Sequence, residues 1–300
     1  MATVDLGRIG VWGHLDSLSA ADARAYARRV EALGYGTLWV PETVGREPIA
    51  LLAMLIGETR RLNLGTSIIN IWGRDAQATR MAALTLAEAT EGRFVLGLGV
   101  SHPHLVQKLR GHDFDHPLAQ LRDYLAGYRA AIYRGPGSEL PEPPVLVAAL
   151  RERMLDLAAT DADGAFPYLV TPERLAWMRR RLDAAASGAE RPQPLLAVTL
   201  PVVLGAGGGT RDAARAYCKP YLRTPTYHAS WELQGFGPSD WEEPGSDRLV
   251  DAMVASGDPP ALRERVAELH AAGADHVALI PIAPDGATEH LPALEALAPS

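Results

Sequence analysis

Residues 31–40 read EALGYGTLWV and residues 269–280 read LHAAGADHVALI. Each is the end of a helix, a glycine joint and a short strand that is apolar at nearly every position. Glycine ends a helix well because it enters the left-handed conformation without a Cβ penalty. A strand without polar alternation is one covered on both faces, as in a parallel sheet. The same helix–strand unit thus stands near both ends of the chain, and the segments between repeat it.

Strands are read at Arg8–Trp12, Gly36–Val40, Leu62–Ile69, Phe94–Leu98, Val145–Ala148, Gly164–Tyr168, Leu195–Leu204 and His276–Ile280. Amphipathic helical segments alternate with them: Ser19–Leu33 with Ser19 as N-cap, Pro48–Thr59, Ala76–Thr90, Pro117–Tyr133, Glu152–Ala159, one opened by Thr171-Pro172, and Pro260–Ala272. A Pro/Gly-rich joint, RGPGSELPEPP (134–144), precedes the fifth strand. Eight such units predict an α/β fold of the closed (β/α)8 TIM-barrel type, one domain over residues 1–300. An open doubly wound sheet would place a GxGxxG fingerprint after its first strand, and GRIGVWGHLDS (7–17) has none. The run GAGGGT (205–210) lacks the strand–helix context of a phosphate loop and reads as a flexible surface loop. Residues 223–246, rich in proline, glycine and aromatics, read as an irregular insertion between strands seven and eight that folds over the barrel mouth.

Composition narrows the function. The 300 residues carry 29 basic and 36 acidic side chains, a net charge of -7, with arginine dispersed and lysine scarce. That balance argues against a nucleic-acid partner, which calls for clustered positive charge. Cys218 is the single cysteine, so neither an intrachain disulfide nor a thiolate metal site is available. The start MATVDLGRIG lacks the basic and apolar regions of a signal peptide, and no apolar run approaches the ~20 residues of a membrane span. A cytoplasmic protein without a membrane partner is expected.

In this fold, chemistry sits at the carboxyl ends of the strands. That rule selects Trp12-Gly13-His14, Pro41-Glu42, Ser67-Ile68-Ile69-Asn70, Gly99-Val100-Ser101-His102, Ala148 to Arg151, and Tyr168. There is no HExxH motif, no completed calcium loop around Asp161-Ala162-Asp163-Gly164 and no GxSxG elbow. Pro103 holds His102 and His104 on an extended chain, so no metal is expected. Glu42 has an alternative in an ion pair with Arg46 or Arg74, and His102 one in a simple turn.

At these positions the chain resembles the luciferase-like monooxygenase superfamily, and within it the branch using coenzyme F420, a deazaflavin. The resemblance lies in RVEALGYGTLWVPE (29–42), LNLGTSIINIWGRDA (62–76), EGRFVLGLGVSH (91–102), ATDADGAFPYLVTPERL (159–175) and DRLVDAMVASGDPPALRERVAELHAAGADHVALIP (247–281). It implies a flavin-like ring against a bulge at the end of strand three, with a non-proline cis peptide that the match puts between Ser67 and Ile68. Ser67, Ile68, Asn70, Gly99, Val100 and Ser101 are the implied ring contacts. The implied phosphate tail lies by Ala148, Leu150 and Arg151, where a helix N-terminus offers unpaired N–H groups to an anion. Relatives commonly have glycine at Arg151; arginine there either adds a phosphate contact or blocks close backbone approach.

The proton-handling pair also departs from the relatives. Deazaflavin-dependent sugar-phosphate dehydrogenases carry Asp-His after strand two and glutamate after strand four, where this chain has Pro41-Glu42 and His102. Glu42 and His102 are therefore the expected catalytic pair, and sugar-phosphate oxidation is disfavoured. Trp12, His14, Trp72 and Tyr168 are expected to line the pocket of a small-molecule substrate. The leading expectation is F420-dependent hydride transfer by a homodimer. One alternative is an FMN-dependent monooxygenase fed by a flavin reductase; another is a barrel that has lost cofactor binding.

Overall fold

In a computed structural model, which describes residues 4–137, 140–205 and 207–299, all paired strands run parallel and the sheet closes on itself. The strands are β1 (Ile9–Trp12), β2 (Thr37–Val40), β3 (Asn63–Thr66), β4 (Ile69–Asn70), β5 (Phe94–Gly99), β6 (Val145–Val147), β7 (Gly164–Ala165), β8 (Leu195–Leu204), β9 (Ala255–Gly257) and β10 (His276–Ile282). Closure comes from β10, which pairs with β1 at Ile9–Val277 and with β8 at Ala197–His276. β3 and β4 together occupy one position of the ring, and β9 adds to the carboxyl end of β8 at Val202–Ala255. The result is the expected eight-position barrel.

Trp39, Val95, Leu146, Phe166, Ala197 and Ala278 form an apolar cluster within the barrel. Trp39 meets Phe166 edge-on at 4.7 Å between centroids. It lies flat over Gly65, where a Cβ would come within 2.4 Å of the indole. Its N–H donates to His276 Nε2 at 2.9 Å, while His276 Nδ1 lies 2.7 Å from the Gly7 carbonyl and donates to it. Both ring nitrogens are thus used by a neutral imidazole, and full burial pulls its pKa down to about 4.

The helices are α1 (Ala20–Ala32), α2 (Pro48–Leu55), α3 (Ala76–Ala89), α4 (Pro117–Ala130), α5 (Glu152–Asp161), α6 (Pro172–Gly188), α7 (Gly208–Cys218), α8 (Pro225–Glu232), α9 (Pro238–Trp241), α10 (Asp247–Met253), α11 (Pro259–Ala271) and α12 (Leu291–Ala296). Ser19, Asp75, Thr171, Ser246 and Asp258 cap their helices by accepting a backbone N–H. None of the helices among the described residues is long and apolar enough to cross a membrane.

Three readings need correction. GAGGGT is not a plain loop: Gly208–Thr210 form the first turn of α7, and Ala206 lies outside the described residues. Residues 223–246 are not irregular either, since they carry α8 and α9. Proline at the first turn of each starts these helices. Burial of Tyr227, Ser230, Trp231 and Asp240 fixes them, which no local periodicity announces. The sixth strand is also shorter than its reading, because Pro167 has no N–H to continue the ladder.

Candidate active site at the barrel mouth

The third strand position breaks at Ser67–Ile68, between β3 and β4, and the Ser67–Ile68 peptide is cis. Within the run from Leu62 to Asn70, these two residues alone rise above full burial. Three hydrogen bonds from neighbouring strand ends hold the bulge. Ser67 N–H donates to Val40 O at 2.8 Å, Glu42 N–H to Ile68 O at 3.2 Å, and the Trp12 indole to Ser67 O at 3.0 Å. The Ile68 side chain lies over Gly97 and Gly99, in space that any larger residue would take. A Cβ on Gly99 would stand 2.7 Å from Ile68 Cδ1 and 3.2 Å from Ala148 Cβ.

Glu42 faces the bulge and is almost fully engaged. Its Oε2 accepts the Asn70 backbone N–H and the Asn70 amide, both at 2.7 Å. Its Oε1 accepts Arg110 at 3.0 Å and stands 3.6 Å from Arg74. With a side chain only 8% exposed, this is an anchored carboxylate joining the ends of β2 and β4 to the loop after β5. Of the two arginines weighed as partners, Arg74 is one, whereas Arg46 bonds to Leu18 O.

His102 is the opposite case. Ser101 takes a left-handed backbone, φ 58°, just ahead of it, and its ring lies 5.5 Å from Tyr227 and 6.0 Å from His104. Its Nδ1 is buried without a partner among the described residues. Desolvation, with the neighbouring His104 second, lowers its pKa to about 4, so the ring is neutral near pH 7.

Over this wall lies an aromatic cover that sequence reading reached only at Tyr168. Tyr168 bonds hydroxyl to hydroxyl with Tyr217. It packs edge-on against Tyr221 at 5.3 Å and Tyr227 at 5.9 Å. Tyr217 comes from α7, Tyr221 from the turn after it and Tyr227 from α8, so the segment between β8 and β9 does close over the barrel end. Burial raises the pKa of all four hydroxyls and keeps them protonated. Trp12 stacks on His14, which approaches Asp16 at 3.5 Å. Trp72 donates to Val100 O at 2.9 Å and tilts against His112 and Phe114.

After β6, Ala148 and Leu150 are half-buried and Arg151 is the exposed N-cap of α5, with no side-chain cap. Thr199 stands two residues beyond the inward Ala197 on β8, and its hydroxyl is a second buried polar atom without a partner. The residues of this mouth suit a flat heteroaromatic ring. The bulge and Ala148 offer it an apolar wall, and His102 Nδ1 and Thr199 Oγ1 have hydrogen-bonding capacity to spare.

The family model described as luciferase-like monooxygenase matches residues 1–276. A putative coenzyme F420-dependent oxidoreductase of Mycobacterium tuberculosis is 29% identical over 280 residues, spanning 82% of this chain and 79% of that protein. The coenzyme F420-dependent tetrahydromethanopterin reductase from Methanopyrus kandleri shares the fold with a TM-score of 0.73 at 18% identity, covering 99% and 98% of the two chains. The oxygenating constituent of 3,6-diketocamphane monooxygenase from Pseudomonas putida, in complex with FMN, does so at 0.71 and 15% identity, covering 97% and 96%.

Proposed function

The chain belongs to the luciferase-like monooxygenase family, and on that premise we propose that it is an oxidoreductase that uses coenzyme F420 to pass a hydride to or from a small organic substrate. The observation that carries this reading is the bulged mouth, an apolar wall at Ser67–Ile68 beside the unpartnered His102 nitrogen. The mycobacterial relative, named for F420, favours that cofactor. Bound F420 supplies a hydride donor and acceptor that reacts poorly with dioxygen, which points to reduction or dehydrogenation.

In this reading Ser67, Ile68, Asn70, Gly99, Val100 and Ser101 hold the ring side of the cofactor, and Ala148, Leu150 and Arg151 the tail side. Trp12, His14, Trp72 and Tyr168 shape the substrate pocket, and the tyrosine cover keeps water out. His102 Nδ1, neutral and unbonded, takes or returns the substrate proton. Glu42 holds Asn70 and Arg110 in place beside the bulge. For the assembly, we propose a homodimer. α2 is apolar throughout (PIALLAML), and with α3 it borders a groove of about 480 Å3 lined by Ile49, Ala53, Met81 and Ala82.

A second reading, FMN-dependent oxygenation with reduced flavin from a partner reductase, is favoured by the comparable likeness to the FMN-bound Pseudomonas structure. Titrating the protein with F420 and with FMN, followed by tryptophan emission, separates them. Saturation in the micromolar range by F420 alone supports the first and by FMN alone the second. Saturation by neither supports a barrel without a cofactor and overturns both.

A further inference from the structure

One hydroxyl of the aromatic cover has no use within the cover itself. Tyr168 and Tyr217 bond to each other, and Tyr221 stands within hydrogen-bond reach of both. No hydrogen bond reaches the Tyr227 hydroxyl among the described residues; burial and the nearby Tyr221 are all that act on it. The residue is 7% exposed, and its oxygen is not sealed in the core as those of Tyr26 and Tyr128 are. Fully buried Trp231 stands 5.8 Å behind the ring. On its other sides are His102 at 5.5 Å and Tyr168 at 5.9 Å, which follow β5 and β7. Phenylalanine would fill this place equally well, so packing does not call for the hydroxyl. A largely desolvated donor without a partner is costly, and a bound group that accepts from it removes that cost.

The place beside His102 limits what that group is. Gly99 underlies Ile68 at the bulge, and His102 stands three residues further along the chain. His102 and Tyr227 thus border the wall at Ser67–Ile68 with hydrogen-bonding capacity unused. A carbonyl or hydroxyl oxygen has two lone pairs and can meet two such groups at once; an imine nitrogen has only one. Charge is limited too. At the bulge Arg110 is bonded to Glu42, Arg74 faces Glu42 and Glu47, and the phenols of the cover stay protonated. A carboxylate or phosphate on the substrate would lose its water there without gaining an uncommitted cation.

We propose that Tyr227 is a catalytic residue supplied by the cover, donating its O–H to the reacting oxygen of a neutral carbonyl substrate while His102 handles that oxygen's proton. The inference rests on the F420 reading given above. In the reducing direction the carbonyl carbon gains the hydride that reduced F420 supplies, and the C=O π pair moves onto the oxygen. That oxygen takes a proton from His102, which regains one from water, and an alcohol leaves. Tyr227 keeps its own proton throughout and steadies the negative charge that builds on the oxygen. Because α8 carries Tyr227, the cover completes the site as well as shielding it.

The test compares neutral ketones with keto acids in which a carboxylate replaces a methyl. Wild type and Tyr227→Phe, loaded with reduced F420, are given 2-butanone and acetophenone, or 2-oxobutanoate and benzoylformate, and the return of oxidised F420 is followed by absorbance. Wild type is expected to favour the ketones in kcat/KM by about tenfold or more. Tyr227→Phe is expected to lower kcat for the ketones about 100-fold, with F420 affinity within about twofold and an unchanged thermal midpoint. An unchanged kcat would overturn the role of Tyr227, as would a loss of stability, which would make its hydroxyl a structural group. Keto acids used as readily as ketones would overturn the substrate class. If wild type binds F420 in the tryptophan titration yet consumes no ketone, the inference falls and the cofactor reading stands. If F420 does not bind, the cofactor reading itself fails and takes this inference with it.

Discussion

Glu42 and His102 differ in how many partners they keep, and the roles proposed for them rest on that difference. A carboxylate already holding Asn70, Arg110 and Arg74 has little capacity left for a substrate proton. Glu42→Gln leaves Arg110 without its counter-charge, while Arg74 keeps Glu47, and is expected to cost about 1–3 kcal/mol of stability in urea unfolding; an unchanged midpoint would contradict the clamp. His102→Ala is expected to lower turnover roughly 100-fold to 10,000-fold with cofactor affinity little changed. Acid should act on the histidines as well. His102 and His276 have folded-state pKa values of about 4, below the ordinary 6.5. Above pH 6.5 neither state gains a proton. Between pH 6.5 and 4 only the unfolded chain does, so stability falls as pH falls, by about 1.4 kcal/mol per unit for each group. Denaturant midpoints at pH 7 and pH 5 check this, and a His276→Gln variant should show the shallower dependence. Positions at strand ends were legible in the sequence, because the fold designates them. Partners were legible only in part: Arg74 is one of the two arginines that the sequence offers Glu42, whereas Arg110 reaches it across 68 residues of chain, and local patterning carries no trace of such a contact.

Among the elements, the bulge depends on glycine at two neighbouring positions with unequal tolerance. A Cβ on Gly97 would stand 2.0 Å from the Thr66 carbonyl oxygen, a backbone atom with nowhere to go. On Gly99 it would meet chiefly the tip of Ile68, which can turn aside. Gly97→Ala is therefore expected to cost about 1–3 kcal/mol and Gly99→Ala clearly less, read from chemical denaturation; the reverse order would contradict this packing. The strands of the ring and most of their helices announced themselves through apolar runs and caps, Ser19 and Thr171 among them. α7, α8 and α9 did not. Their glycine-, proline- and aromatic-rich stretches hide helices stabilised by burial of Trp231 and the tyrosine cluster rather than by periodicity.

For the whole molecule, a closed parallel barrel leaves one end free to vary, and here the segment between β8 and β9 covers it. Assembly should use another face. Met81 is 50% exposed beside the groove of α2 and α3, so Met81→Arg is expected to shift a dimer to monomer in sedimentation equilibrium. A wild-type monomer, or a dimer indifferent to the change, would remove that face from consideration. In the function proposed here, the mouth beside Ser67–Ile68 holds the ring of a deazaflavin. A crystal structure of the protein grown with F420 tests it most directly. The expected density places the ring against Ser67–Ile68 within reach of His102. Ring density elsewhere on the barrel, or none at saturating F420, would contradict it.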